Sequence, residues 1–160
     1  MTLPVFGRLP LSALLGLLIV TATAALFLFG PMLAPFGQEE VLGTPFADPS
    51  AGHLLGLDQN GRDMLSRLLY GARMSVGVSL AAVVISFCIG VALGFLAALN
   101  GGWPDLLGAR LIDVIMSIPV LISALVVLQA LGSSLPVLIG TIALLDSTRV
   151  FRLSRVVAQG

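Results

Sequence analysis

Charged residues are absent from three long stretches of the chain, Leu9 to Gln38, Met74 to Pro104 and Val114 to Leu145. A helix needs about 20 mostly apolar residues to cross the hydrocarbon core of a bilayer. The first stretch therefore predicts one span, Leu11 to Phe29, closed by Gly30-Pro31. The second predicts a span from Met74 to Leu99, closed by Asn100-Gly101-Gly102. The third is too long for one helix and is broken at Gly132-Ser133-Ser134-Leu135-Pro136, which predicts helices Leu111 to Leu131 and Pro136 to Phe151. The expected fold is all-α, a polytopic membrane bundle of about four transmembrane helices. Residues 1–72 form an N-terminal span with an external loop, and residues 73–160 carry the other three helices.

Composition supports lipid as the solvent. The chain is 58% hydrophobic and only 10% charged, with a mean hydropathy of +1.09, whereas a soluble domain carries roughly a quarter charged residues. A signal peptide is the competing reading of the first span, because Ala22-Thr23-Ala24 resembles a cleavage site. That triplet lies inside an apolar run that continues through Phe29, past where a signal core ends. A retained helix is expected.

Net charge is zero, which gives no argument for a nucleic-acid partner, and none is expected. All eight basic residues are Arg, so the Lys of a phosphate-binding loop is missing and no ATP site of that kind is expected. Cys88 is the one cysteine and reads as a packing residue in an apolar run. His53 has no ligand cluster around it at metal spacing, and no metal or other cofactor is expected in this chain. No catalytic motif is present, and the chain does not read as an enzyme.

Arg149, Arg152 and Arg155 crowd the C-terminal end, and cytoplasmic segments carry the excess of Arg and Lys. With four spans, both termini, including Arg8, then lie in the cytoplasm. The segment from Pro31 to Arg73 faces outward, with five acidic residues against three Arg.

Ser86, Gly90, Gly94 and Ala98 recur four apart in the second span. Lipid gives helices no hydrophobic reason to associate, so small residues that admit close backbone approach mark a packing face. The segment His53 to Arg67 is the most distinctive. Asp63 and Arg67 stand four apart, acid first, the favourable order for a helical ion pair. Met64, Leu65, Leu68 and Leu69 share a face, which predicts a short amphipathic surface helix leading into the second span. Asp58-Gln59-Asn60 hints at a calcium loop, but the glycine and glutamate such a loop needs are misplaced or missing. Arg110 with Asp113, and Asp146 with Arg149, are expected as pairs three apart. Pro119 is expected to kink the third span. Ser123 and Gln129, the few polar side chains there, either line a path or bond a neighbouring helix.

The run His53 to Arg67, followed by Tyr70-Gly71-Ala72-Arg73-Met74-Ser75, resembles the second permease subunit of dipeptide, oligopeptide and nickel ABC importers. That family reads H-x-L-G-T-D-x-x-G-R-D-x-x-S-R-x-x-x-G-A-R-x-S at this place. Further matches are Gly101-Gly102-Trp103 with Asp105, Arg110-Leu111-Ile112-Asp113 with Ile118-Pro119, and Arg149-Val150-Phe151-Arg152-Leu153. Asp58, Gly61, Arg62, Asp63 and Arg67 then form the external loop motif, and Arg149, Arg152 and Arg155 the cytoplasmic basic end. The resemblance implies a multi-pass permease of the bacterial inner membrane that moves peptides, with nickel or other small solutes as the second choice. Its implied partners are a second permease subunit, two cytoplasmic ATPase subunits that hold the ATP, an external substrate-binding protein and membrane lipid.

Two departures stand out. Leu57 replaces a Thr, and the chain stops at Gly160, before the coupling segment and further helices that the family carries. A truncated product or fragment that inserts but supports no ATP-dependent uptake is the expectation. The residues taken alone leave open a small self-contained channel or secondary transporter, or a structural membrane subunit.

Overall fold

A computed structural model describes residues 10–159; Arg8, counted above for orientation, lies outside them. Five helices follow in order: α1 (Leu11–Leu33), α2 (Met64–Asn100), α3 (Gly102–Ser117), α4 (Val120–Leu131) and α5 (Leu135–Gln159). Among the described residues the only β-type pairings are two isolated bridges, Val41 with Arg62 and Leu57 with Asp63. The expected all-α membrane architecture is observed. The chain divides into two compact units, residues 1–77 and 78–160.

In the first unit, α1 is apolar on every side, and Gly30 is its one buried residue. Its polar atoms are satisfied internally: Thr21 Oγ1 donates to Leu17 O at 2.8 Å and Thr23 Oγ1 to Ile19 O at 2.9 Å. Lipid offers a hydroxyl no other partner. The helix does not stop at Gly30-Pro31 as expected but runs through Pro31 to Leu33. Gly30 sits against the first turns of α2, where a Cβ would lie 2.8 Å from the Leu69 carbonyl oxygen.

The expected surface helix and second span are one continuous helix. Nothing between Met64 and Met74 breaks it, and α2 is 37 residues long. That is about 55 Å at 1.5 Å per residue, against a hydrocarbon core of about 30 Å. It ends at Asn100, where Gly101 and Gly102 both take φ of +58°.

The third expected span is broken more sharply than a kink. The axes of α3 and α4 meet at 88° across Ile118-Pro119. The residue before a proline is pushed out of the helical region, and Ile118 is extended at φ −91°, ψ 130°. α1 and α2 are each long and apolar enough to cross a membrane, and α3 with α4 make a third span if the bent pair is taken as one. α5 falls outside that set although it is 25 residues long. It runs eight residues beyond Phe151, where the fourth span was expected to end, and carries Asp146, Arg149, Arg152 and Arg155.

Candidate functional sites: the loop knot and the charged end of the last helix

Two places concentrate polar chemistry, one in each unit. In the first, the segment between α1 and α2 folds back on itself through backbone bonds: Leu42 N–H to Gly61 O at 2.8 Å, Phe46 N–H to Asp58 O at 3.0 Å and Leu57 N–H to Ala47 O at 3.0 Å. Gly61 is the pivot, with φ of +73°, and any Cβ there would run into the Gly43 carbonyl oxygen. Only glycine takes that conformation without strain.

Asp58 is buried and organises the turn. Its Oδ1 accepts from the N–H of Asn60 at 2.7 Å and of Arg62 at 2.9 Å. Its Oδ2 accepts from the Arg67 guanidinium. The Arg62 N–H leads in holding this carboxyl below the usual carboxylate range; burial works against it, and Asn60 and Arg67 add to the lowering.

Asp63 caps α2. Its Oδ2 accepts from both the N–H and the Oγ of Ser66 at 2.8 Å, and its Oδ1 lies 3.3 Å from His53 Nδ1. Asp63 is 1% exposed and Ser66 0%. Burial alone would raise the Asp63 carboxyl, but the bonds from Ser66 and the contact with His53 outweigh it and leave it lowered. Ser66 Oγ also accepts from the Phe36 N–H at 3.1 Å, and the Phe36 ring lies 5.2 Å from that of His53. The sequence pairing of Asp63 with Arg67 is thus corrected: Arg67 reaches back to Asp58, because Asp63 is already engaged as the helix cap. The signal that was missed is the Asp-x-x-Ser spacing at a helix start, where a side-chain oxygen meets the third-residue N–H. Arg62 is half-buried, and its Nε is buried without a hydrogen-bond partner.

In the second unit, α2 presents a row of small buried residues, Ala82, Ser86, Gly90 and Gly94. Gly90 lies so close to α5 that a Cβ would be 2.5 Å from Val150 Cβ and 2.7 Å from Ser147 O. At Gly94 it would be 2.7 Å from Phe151 O. Ala98, the fourth residue of the row read from sequence, is only half-buried, and Ala82 extends the row at its other end. The facing side of α5 is equally small and polar: Thr141, Ala143, Ser147, Thr148 and Ser154 are buried with Phe151. Three of these hydroxyls bond within the helix, Thr141 to Val137 O, Ser147 to Leu144 O and Thr148 to Leu145 O, each at 2.7 Å. That self-satisfaction lets the two backbones meet without stranding a donor. Phe151 also reaches α3, where a Cβ on Gly108 would lie 3.3 Å from its ring.

The three arginines of α5 each meet a carboxylate. Arg155 forks onto Asp105 of α3, with Nη2 at 2.6 Å from Oδ2 and Nε on Oδ1, and Gln159 Nε2 adds a third bond at 3.2 Å. Arg152 Nη2 donates to Asp113 Oδ1 at 3.0 Å, and Arg149 Nη1 lies 3.5 Å from Asp146 Oδ1. The last pair is the one expected from sequence. Asp113, however, bonds Arg152 across 39 positions rather than Arg110, because α3 lies beside α5. Ser123 on α4 is half-buried and Gln129 exposed. Among the described residues no group of His, Cys, Asp and Glu could hold a metal ion.

No protein-family model matches the chain. Individual relatives do. The dipeptide transport system permease protein of Alkalihalophilus pseudofirmus is 33% identical over 144 residues, 89% of this chain and 47% of the relative. That of Haemophilus influenzae is 35% identical over 150 residues, 89% of this chain and 51% of its own length. The glutathione transport system permease protein of Pectobacterium atrosepticum is 35% identical over 107 residues, 67% of this chain and 36% of the relative. The chain spans about half the length of the curated relatives it matches.

Proposed function

We propose that this chain is a permease subunit of the peptide-importing ABC type and forms part of the membrane pathway of an ATP-driven peptide importer. The observation that carries this reading is the 33–35% identity to dipeptide permeases, sustained over 89% of the chain. Small peptides are the substrate class, since the relatives are named for dipeptides, di/tripeptides and glutathione. A second permease chain completes the pathway, two cytoplasmic ATPase subunits hold the ATP, and an external binding protein delivers the peptide. This chain contributes helices and loops, not bond-making chemistry.

The bundle sits in the inner membrane with both termini in the cytoplasm, a topology that takes α5 as a fourth crossing beside α1, α2 and the bent pair α3–α4. The α1–α2 segment then faces outward, where its knot offers the binding protein a firm surface. Arg149, Arg152 and Arg155 support this orientation. Ser50 and Gln159 are exposed, so single cysteines there, on a Cys88→Ala background, report sidedness to an impermeant thiol reagent. Ser50→Cys is labelled in intact cells and Gln159→Cys only after permeabilisation; labelling of Gln159→Cys in intact cells refutes the topology. The functional reading is tested by affinity purification of the tagged chain from its host. A second permease and an ATPase co-purify; recovery of the chain alone, in a form that moves peptide in vesicles without ATP, refutes it.

A further inference from the structure

The helix α3 is bounded by two joints. At its start Gly101 and Gly102 both take φ of +58°, with nothing within 4 Å of a Cβ at either. At its end the chain turns through 88° at Ile118-Pro119. A segment between two such joints, 16 residues or about 24 Å long, is free to pivot unless side chains hold it. What holds it is α5. Phe151 rests on Gly108, and the rest of the grip is charged.

The grip is unequal along its length. Asp105 and Arg155 are 13% and 26% exposed in their side chains, whereas Asp113 and Arg152 are 48% and 61% exposed. A two-pronged guanidinium–carboxylate contact fixes orientation as well as distance, and shielding from water strengthens it. Asp105 has both carboxylate oxygens engaged, one of them also by Gln159 at 3.2 Å. It also stands in the first turn of α3, where a negative charge suits the helix dipole.

We propose that Asp105 and Arg155 are positioning residues: their fork clasps the C-terminal turns of α5 to the first turns of α3, so that displacement at the end of α5 swings α3 about its glycine joint. This rests on the importer reading, in which the basic end of α5 lies on the cytoplasmic side, where the ATPases act. Arg152 with Asp113 steadies the clasp, and Arg149, paired within α5, takes no part. Transmission of this kind needs an element whose position both ends can bias, and a helix jointed at both ends and gripped by one neighbour is such an element.

Spin labels at Leu106→Cys on α3 and Val157→Cys on α5, in a Cys88→Ala background, read the clasp as a distance distribution in lipid vesicles; both positions are exposed. The parent gives one narrow distance. Asp105→Asn and Arg155→Met lose it, and Arg155→Lys, which keeps the charge without the fork, loses part of it. A narrow distance retained in Arg155→Met and Asp105→Asn overturns the clasp. In the assembled importer, Arg155→Lys folds and hydrolyses ATP at the parental rate but moves less peptide per ATP. An unchanged ratio overturns the coupling role. A parent importer that moves no peptide overturns the functional reading and the coupling role together, and leaves the distance result to decide the clasp.

Discussion

Gly90 is the point where α2 and α5 come closest, and a single methyl group there has a calculable effect. Carbon atoms attract best at about 3.5–4.0 Å. A Cβ on Gly90 would stand 2.5 Å from Val150 Cβ, 2.7 Å from Ser147 O and 2.8 Å from Val150 Cγ1. Two of these neighbours, a Cβ and a backbone carbonyl, cannot swing aside. The helices must separate by about 1 Å to restore ordinary contact, which loosens every contact along the row from Ala82 to Gly94. Forcing a methylene into a packed interface costs about 1–3 kcal/mol. Replacing a helical glycine by alanine returns up to about 1 kcal/mol, so with that full return Gly90→Ala is destabilised by up to about 2 kcal/mol. Gly140 on α5 has nothing within 4 Å, and Gly140→Ala serves as the control, neutral or slightly stabilised. Reversible unfolding of the purified protein in mixed detergent micelles measures both. Equal stability of Gly90→Ala and Gly140→Ala would refute the packing of α2 on α5 through this row.

The loop knot carries two further predictions. The Asp63 carboxyl is lowered by its bonds from Ser66 and its contact with His53, so the folded knot binds that proton less readily than the unfolded chain. Its contribution is full above the unfolded carboxylate range and is lost as pH falls through the lowered value; amide exchange across residues 56–66 accelerates in acid, and Asp63→Asn flattens that dependence and costs about 1 kcal/mol of helix capping even at neutral pH. Gly61→Ala places a Cβ at positive φ against the Gly43 carbonyl and opens the loop to proteolysis, while Gly52→Ala, with nothing within 4 Å, leaves the digestion rate unchanged.

Much of the fold was legible because lipid imposes a simple rule on sequence: long charge-free runs become helices. The first two spans follow from that rule alone. Boundaries were less legible, for physical reasons that differ from place to place. Pro31 sits within the last turn of α1 without ending it. The start of α2 was set by Asp63, whose capping role competes with the ion pair that its spacing to Arg67 suggests. Hydropathy does not reveal that Pro119 turns the chain through 88°. Cross-helix pairs were beyond reach of the sequence as well. Asp105 and Arg155 lie 50 positions apart, and nothing local signals that they meet. The small residues of α5 carried a readable sign, in Thr141 and Thr148, and in Ser147 and Ser154, each pair seven apart on one helix face. The motif run from His53 to Arg67 pointed to the same peptide-transport permeases that the chain proves similar to, yet its physical logic, a buried carboxylate capping a helix and bonded to Ser66 and His53, appears only in three dimensions.

The central claim, that this chain is part of an ATP-driven peptide importer, is tested most directly by uptake of a radiolabelled dipeptide in its host. The account predicts that disrupting the gene abolishes high-affinity uptake, that restoring it recovers uptake, and that inactivating the companion ATPase has the same effect as the disruption. Uptake that depends on this chain but survives loss of the ATPase, and collapses instead when a protonophore dissipates the ion gradient, would contradict it.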